Sequence, residues 1–202
     1  MAIGDSIKKA FQKVGTPYTL YRKNQETVSG EYFMFDIPEV FNSWEREYLR
    51  KAIIQYDSLI KPGQVVLPVS GEYHLIAHIA DEPYASEILM KEAILMKCNV
   101  TGGKLLRSSG ETYDTSEYHT KQNWVVTSTG IKATVVEAQM NLAAEDAGML
   151  QNDKITVYLP SGEDVQLLDR WEPYSGEWYQ VDTVKKHIMG PMVVEVSVDT
   201  RE

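Results

Sequence analysis

The chain has 202 residues, of which 43% are hydrophobic and 24% charged, a composition that can bury a core and lies outside the range of disordered chains. Its net charge of -9 is concentrated at one end: Glu137 to Glu202 carry 13 acids and 5 bases, whereas residues 1–136 carry 16 acids and 15 bases. So acidic a region lacks the Lys and Arg that displace counterions from phosphate backbones, which argues against sequence-specific nucleic-acid binding; a surface kept acidic for solubility accounts for the same charge. The single cysteine, Cys98, excludes an internal disulfide and a multi-cysteine zinc site, and no apolar run approaches the ~18 residues of a membrane span.

In chain order, Ile3, Ile7, Ala10, Phe11 and Val14 share one helical face, with Lys8, Lys9 and Lys13 largely turned away from it. Gly15 and Pro17 end this short amphipathic helix. YTLYR and YFMFDI, rich in aromatic and β-branched residues, read as strands on either side of Gly30. In WEREYLRKAII, Trp44, Tyr48, Leu49, Ala52 and Ile53 have helical spacing, and Asn42 with Glu45 fits a capping box. The far end, AIIQYDSLI, fits a strand equally well.

An echo follows. GEYHLIAHI begins at Gly71 and GEWYQVDTV at Gly176. The first is preceded by a turn and apolar strand, IKPGQVVLP, and the second by LQNDKITVYLP. After the first come Ile94, Met96, Cys98 and Val100 in alternation, and after the second Met192, Val194, Val196 and Val198. Between the two units LLRSSGETYDTSEYHTKQN reads as an exposed loop, and AAEDAG before Leu150 carries a short helical signal. The expected architecture is mainly β with a few helices (α+β): two small antiparallel β-barrel or curled-sheet units and a short N-terminal amphipathic helix. The divisions fall at 1–106 (helix and first unit), 107–124 (loop or linker) and 125–202 (acidic second unit).

No motif nominates catalysis, a cofactor or a metal. His74 and His78 lie about 13 Å apart if their segment is a strand, and His119 and His187 have no acidic or thiol neighbours at ligand spacing. Cys98 falls in the apolar series, where a thiol behaves as a small hydrophobe. Gly102 and Gly103 lack the phosphate-loop spacing and read as a hairpin turn. The carboxylate pairs Glu45 with Glu47 and Glu163 with Asp164 read as solvated side chains.

IGDSIKKAFQKVGTPYTLYR, GEYHLIAHI with ILMKCNVTGGKLLR, and GEWYQVDTVKKHIMGPMVVEVSVDTR together resemble small structural proteins of tailed-bacteriophage virions. The closing pattern, an aromatic residue, Val-Asp, a loop, alternating apolar residues and Asp-Thr-Arg, is similar to phage neck and tail-joining proteins. The resemblance implies a non-enzymatic ring protein of head-closure or tail-terminator type, found in the virion and, during assembly, in the host cytoplasm. Its partners would be copies of itself together with portal, adaptor and tail proteins, with DNA only as passing cargo and no membrane. Rings need complementary patches on opposite sides of one subunit, and the candidates are Lys8, Lys9 and Lys13 on the helix against Asp182 and Asp199 in the acidic third. A tail or baseplate component, a host-directed phage protein, and a ligand-binding barrel or enzyme with scattered site residues are the competing readings.

Overall fold

Alternation at period two, one face of each strand apolar, runs through most of this chain and closes it into two rings of strands. The structure, a computed structural model, describes residues 3–21, 28–36, 48–84, 87–115, 119–137 and 155–201. Helix α1 (Ile3–Val14) precedes β1 (Thr16–Tyr21), β2 (Val28–Asp36), β3 (Leu49–Gln55), β4 (Val65–Pro68), β5 (His74–Tyr84) and β6 (Glu87–Lys97). These six close into an antiparallel barrel in the order β1-β2-β3-β6-β5-β4. Then β7 (Val100–Asp114), β8 (His119–Glu137), β9 (Ile155–Leu159), β10 (Arg170–Glu172), β11 (Tyr179–Lys185) and β12 (Met192–Val198) close a second barrel, β7-β8-β9-β12-β11-β10. Numbered within its own barrel, each follows the order 1-2-3-6-5-4. The chain is a tandem of two barrels of one topology.

Local hydrogen bonds repeat with the strands. Gly63 N donates to Ile76 O and Ile76 N to Gln64 O, each at 2.8 Å; in the second barrel Leu168 N donates to Val181 O and Val181 N to Asp169 O, each at 2.9 Å. The turn side chains match as well: Lys61 N donates to Gln64 Oε1 and Gln166 N to Asp169 Oδ2, both at 2.9 Å. Both barrels close with the same bond, Cys98 N to Tyr73 O and Asp199 N to Trp178 O, each at 2.9 Å. Residues 60–76 therefore correspond without a gap to residues 165–181. The two Gly-Glu-aromatic segments lead into equivalent strands, β5 and β11.

The strand expected to match β4 is a different one. Residues of LQNDKITVYLP form β9, the counterpart of β3, and β4 corresponds to β10 in the stretch SGEDVQLLDRWEPYS. The helical reading of Trp44 to Ile53 fails over β3, where Ala52 and Ile54 both point into the first core and period two prevails. Its proposed cap at Asn42 lies outside the described residues, as does AAEDAG. The reading of 107–124 as an exposed loop or linker is corrected over the described residues, because strands run there. Residues 107–114 and 119–124 belong to the β7–β8 hairpin, paired from Arg107 with Val125 out to Asp114 with His119, and the junction between barrels is at Cys98 and Asn99. Tyr48, just before β3, is helical, and α1 is the one helix whose bounds lie among the described residues. It buries Phe11 against β2, β3 and β6, while Val14, expected on the same face, is exposed.

Each barrel has its own core. Tyr18, Leu20, Phe33, Ala52, Ile54, Val66, Ile76, Ala93 and Leu95 fill the first, and Leu105, Ile131, Val157, Trp171, Val181, Val194 and Val196 the second. On β12 the expected inward series is the inward one as far as Val196, and Val198 is exposed. On β6 the inward residues are Ala93 and Leu95, whereas Met96 and Cys98 face outward. Cys98 is nonetheless buried, because the second barrel covers it. Gly102 and Gly103 are strand residues of β7, not a turn. A Cβ on Gly103 would lie 2.0 Å from the Trp171 ring, so the glycine makes room for that indole.

Candidate assembly surface

The barrels join through different faces. The first presents the outer row Val65, Leu75 and Met96, aligned across β4, β5 and β6, which with Cys98 packs against Tyr158 of β9. The second receives it on β8 and β9, where Thr134 lies opposite Tyr158. Thr134 Oγ1 donates to Lys97 O at 3.0 Å, Ser161 N donates to Gly63 O at 2.9 Å, and Asn99 exchanges two 2.7 Å bonds with the Val135 backbone. A Cβ on Gly63 would come within 2.7 Å of Ser161 and of Gly190 O, so the approach depends on glycine there. Burial pushes the Cys98 thiol up to about 12, against a smaller lowering by its hydrogen bond with Thr134. It is a packing residue of the seam and carries no thiolate near neutral pH.

The equivalent outer row of the second barrel is Arg170, Gln180 and Ser197, with Asp199 in the place of Cys98. Here the positions are polar and sealed by residues of the same barrel. Asp199, with no side-chain exposure, accepts from Arg170 Nε at 2.7 Å and from Arg201 Nε at 2.8 Å. Arg170 lies over the Trp124 ring at 4.0 Å and the Trp178 ring at 5.1 Å, and Arg201 lies over Trp124 at 4.9 Å. Burial by itself raises the Asp199 carboxyl, but the hydrogen bonds from Arg201 and Arg170 outweigh it and hold it at about 2. Delocalised guanidinium planes stacked on indoles suit so dry a site better than ammonium groups would.

Trp124 stands at the root of an extended hairpin. β7 pairs with β10 only over Lys104–Leu106, and β8 with β9 only over Thr134–Glu137. Farther out, β7 and β8 pair with each other as a two-stranded arm. Arg107 clamps its base with a bidentate pair to Asp169 and a further bond to Asp164. In the first barrel β1 and β2 are separated in sequence by residues 22–27. An arm that adds no core to the barrel is the kind of surface element that carries recognition.

The expected interface residues are dispersed. Lys8 is paired with Asp57 at 2.6 Å, a surface bond worth at most about 1 kcal/mol, while Lys9 and Lys13 are exposed on α1. Asp182 is half-buried at a β-bulge and accepts from Gln180. Asp199 is spent on its two arginines, so it offers no carboxylate to a neighbouring subunit, which corrects its assignment as a docking residue. Of Trp124, Arg170, Trp178 and Leu168, only Trp178 is met in the sequence, as the aromatic residue of the second Gly-Glu echo. The signal for three of them was the repeat itself, since Pro68-Val-Ser-Gly-Glu-Tyr73 and Pro173-Tyr-Ser-Gly-Glu-Trp178 align the whole segment once the echo is extended upstream.

Tyr18 OH and Ser58 Oγ both donate to Glu31 at the wall of the first barrel, and burial pushes the Tyr18 hydroxyl well above its ordinary value, so it remains a protonated donor. Between the barrels an open groove of about 660 Å³ is lined largely by apolar residues such as Ala77, Met96, Met189 and Val193, with Lys186 and His187 beside them. His74 is buried and His78 exposed on β5, and among the described residues no group of three or more His, Cys, Asp or Glu could hold a metal. The chain matches no family model, no curated protein and no solved structure.

Proposed function

We propose that the chain is a non-enzymatic component of a tailed-bacteriophage particle: a ring-forming neck protein of head-closure or tail-terminator type, set between portal and tail. The observation that carries the ring is internal. Two barrels of one topology associate through unlike faces, the β4–β6 row of one against the β8–β9 pair of the other, and such heterologous contacts build closed rings when their rotation closes. The β7–β8 arm supplies a projecting element for a neighbouring portal, adaptor or tail protein. The acidic second half suits a passage through which DNA slides as cargo, since like charge suppresses counterion-release binding. The virion is its place of action and the host cytoplasm its place of assembly.

The test is the protein content of purified particles together with an electron-microscopy map of the neck. The chain is expected in a ring of copies there, and Lys9→Glu with Lys13→Glu should lower its incorporation while circular dichroism stays unchanged. Absence from particles, or a hydrolytic or transferase activity of the purified protein, would overturn the reading.

A further inference from the structure

The face by which the first barrel grips the second has a counterpart on the second barrel that grips nothing among the described residues of this chain. Gly63, pressed against Ser161 and Gly190, corresponds to Leu168; Pro62 corresponds to Leu167, and Tyr73 to Trp178. At these positions the second barrel displays apolar groups to water: Leu167 is 61% exposed, Leu168 60%, Trp178 45% and Val126, on the flanking strand, 48%. They border one cluster. Leu168 O accepts from Arg201, which stacks on Trp124, and Trp178 lies against Arg170. Large apolar and aromatic side chains gathered around the buried Arg170 and the half-buried Arg201 have the composition of protein-binding hot spots.

We infer that this face of the second barrel docks on the first barrel of another copy of the chain, head to tail. The receiving side follows from the same correspondence. Thr134 and Tyr158, which receive the first barrel within the chain, match Met34 and Ile53, which lie opposite each other on β2 and β3. Helix α1 packs over those strands and presents Lys9 and Lys13 outward, so the incoming face meets α1 and a basic rim, with exposed Glu177 beside Trp178 on its own side. The contact differs in detail from the internal one, because Leu168 projects where Gly63 allows close approach. Leu168 acts as a knob and needs the wider spacing that α1 provides. Each copy then adds two pseudo-equivalent barrels to the ring.

This inference rests on the ring-forming part of the proposed function, and its test separates the two. Sedimentation of the full chain up to about 1 mM is expected to show concentration-dependent association. Leu167→Ser with Leu168→Gly should weaken it at least about tenfold, with thermal unfolding unmoved or raised, because both residues are exposed and glycine suits the backbone at 168. Cross-linking of mixed light and heavy isotope-labelled chains should give inter-chain links from residues 167–178 to α1. A wild-type chain that stays monomeric throughout, a double variant that associates as before, or links joining one second barrel to another would each overturn the head-to-tail contact. Rings in the particle that survive the double variant would sink this contact and leave the neck assignment standing.

Discussion

The two barrels have one strand order but solve two problems differently: how to fill the core beneath β4, and what to do with the outer row above it. In the first barrel Tyr18 enters the core from β1, stacked on Phe33 with ring centroids 4.9 Å apart, and Val66 of β4 is small beside it. In the second the sizes are exchanged: β7 has Gly103 where β1 has Tyr18, and β10 has Trp171 where β4 has Val66. The outer row is apolar in the first barrel, where another barrel covers it, and polar and ionic in the second, where two indoles and Arg201 cover it. A closed barrel fixes where side chains point, while the identity of those side chains is set jointly by their neighbours. Total volume is kept inside, and outside, polarity follows whatever lies on top.

The largest expected effect comes from removing the anion of the outer cluster. Asp199→Ala leaves Arg170, with 6% side-chain exposure, as a buried cation with no paired carboxylate among the described residues, and should cost about 3–5 kcal/mol of unfolding free energy. The pH dependence has a definite sign. The folded carboxyl is depressed to about 2, so its contribution is fully present above the unfolded value near ~3.9 and is lost as pH falls through about 2. Wild type should therefore lose stability between those values in acid titrations followed by denaturant unfolding, and Asp199→Ala should show a flatter profile there. Equal profiles for the two proteins would mean that the arginines are held by stacking and not by the carboxylate.

The exchange of core volumes can be tested by reversing it. Gly103→Tyr alone drives a ring into Trp171 and should cost about 3 kcal/mol, and Trp171→Val alone leaves a cavity of similar cost. Together they copy the first barrel's solution into the second. If the equivalence is real the double variant recovers part of the loss, with a coupling of at least about 2 kcal/mol in a double-mutant cycle of denaturant midpoints. Additive losses would show that the two positions do not share one volume.

Much of this was legible in the sequence, and the misreadings have physical causes. The echo at Gly71 and Gly176 was readable because both glycines take positive φ, +86° and +88°, in turns that few other residues tolerate. The preceding strand was mismatched because β10 is three residues long and carries Arg170 and Glu172, whose charges hide it among loop residues. The β7–β8 arm was read as a linker for a similar reason. A ribbon with both faces in water has no apolar alternation, so Ser, Thr and Gly dominate strand and loop alike. On β6 the residues on both faces are apolar, one set facing the core and the other facing a second barrel, and alternation could not tell which series points inward. The Arg170–Asp199–Trp124 cluster joins β10, β8 and the residue that follows β12, and leaves no spacing to find.

The smallest effect concerns the one described residue other than glycine at positive φ, Leu168 at 66°. Its counterpart Gly63 adopts +79°, so the shared turn requires a left-handed residue. A leucine there strains against its own carbonyl by about 1–2 kcal/mol, partly offset because glycine has more freedom to lose on folding. Leu168→Gly should therefore stabilise the chain by about 0.5–1 kcal/mol, read as a later unfolding midpoint. The reciprocal change is not reciprocal in effect. Gly63→Ala meets the same backbone strain and also places a methyl group 2.7 Å from Ser161 and Gly190, so it should cost about 2–3 kcal/mol and loosen the seam between the barrels. If Leu168→Gly proves destabilising instead, the leucine side chain supplies packing within the isolated chain that outweighs its backbone strain, and its place as an outward knob awaiting another copy would have to be given up.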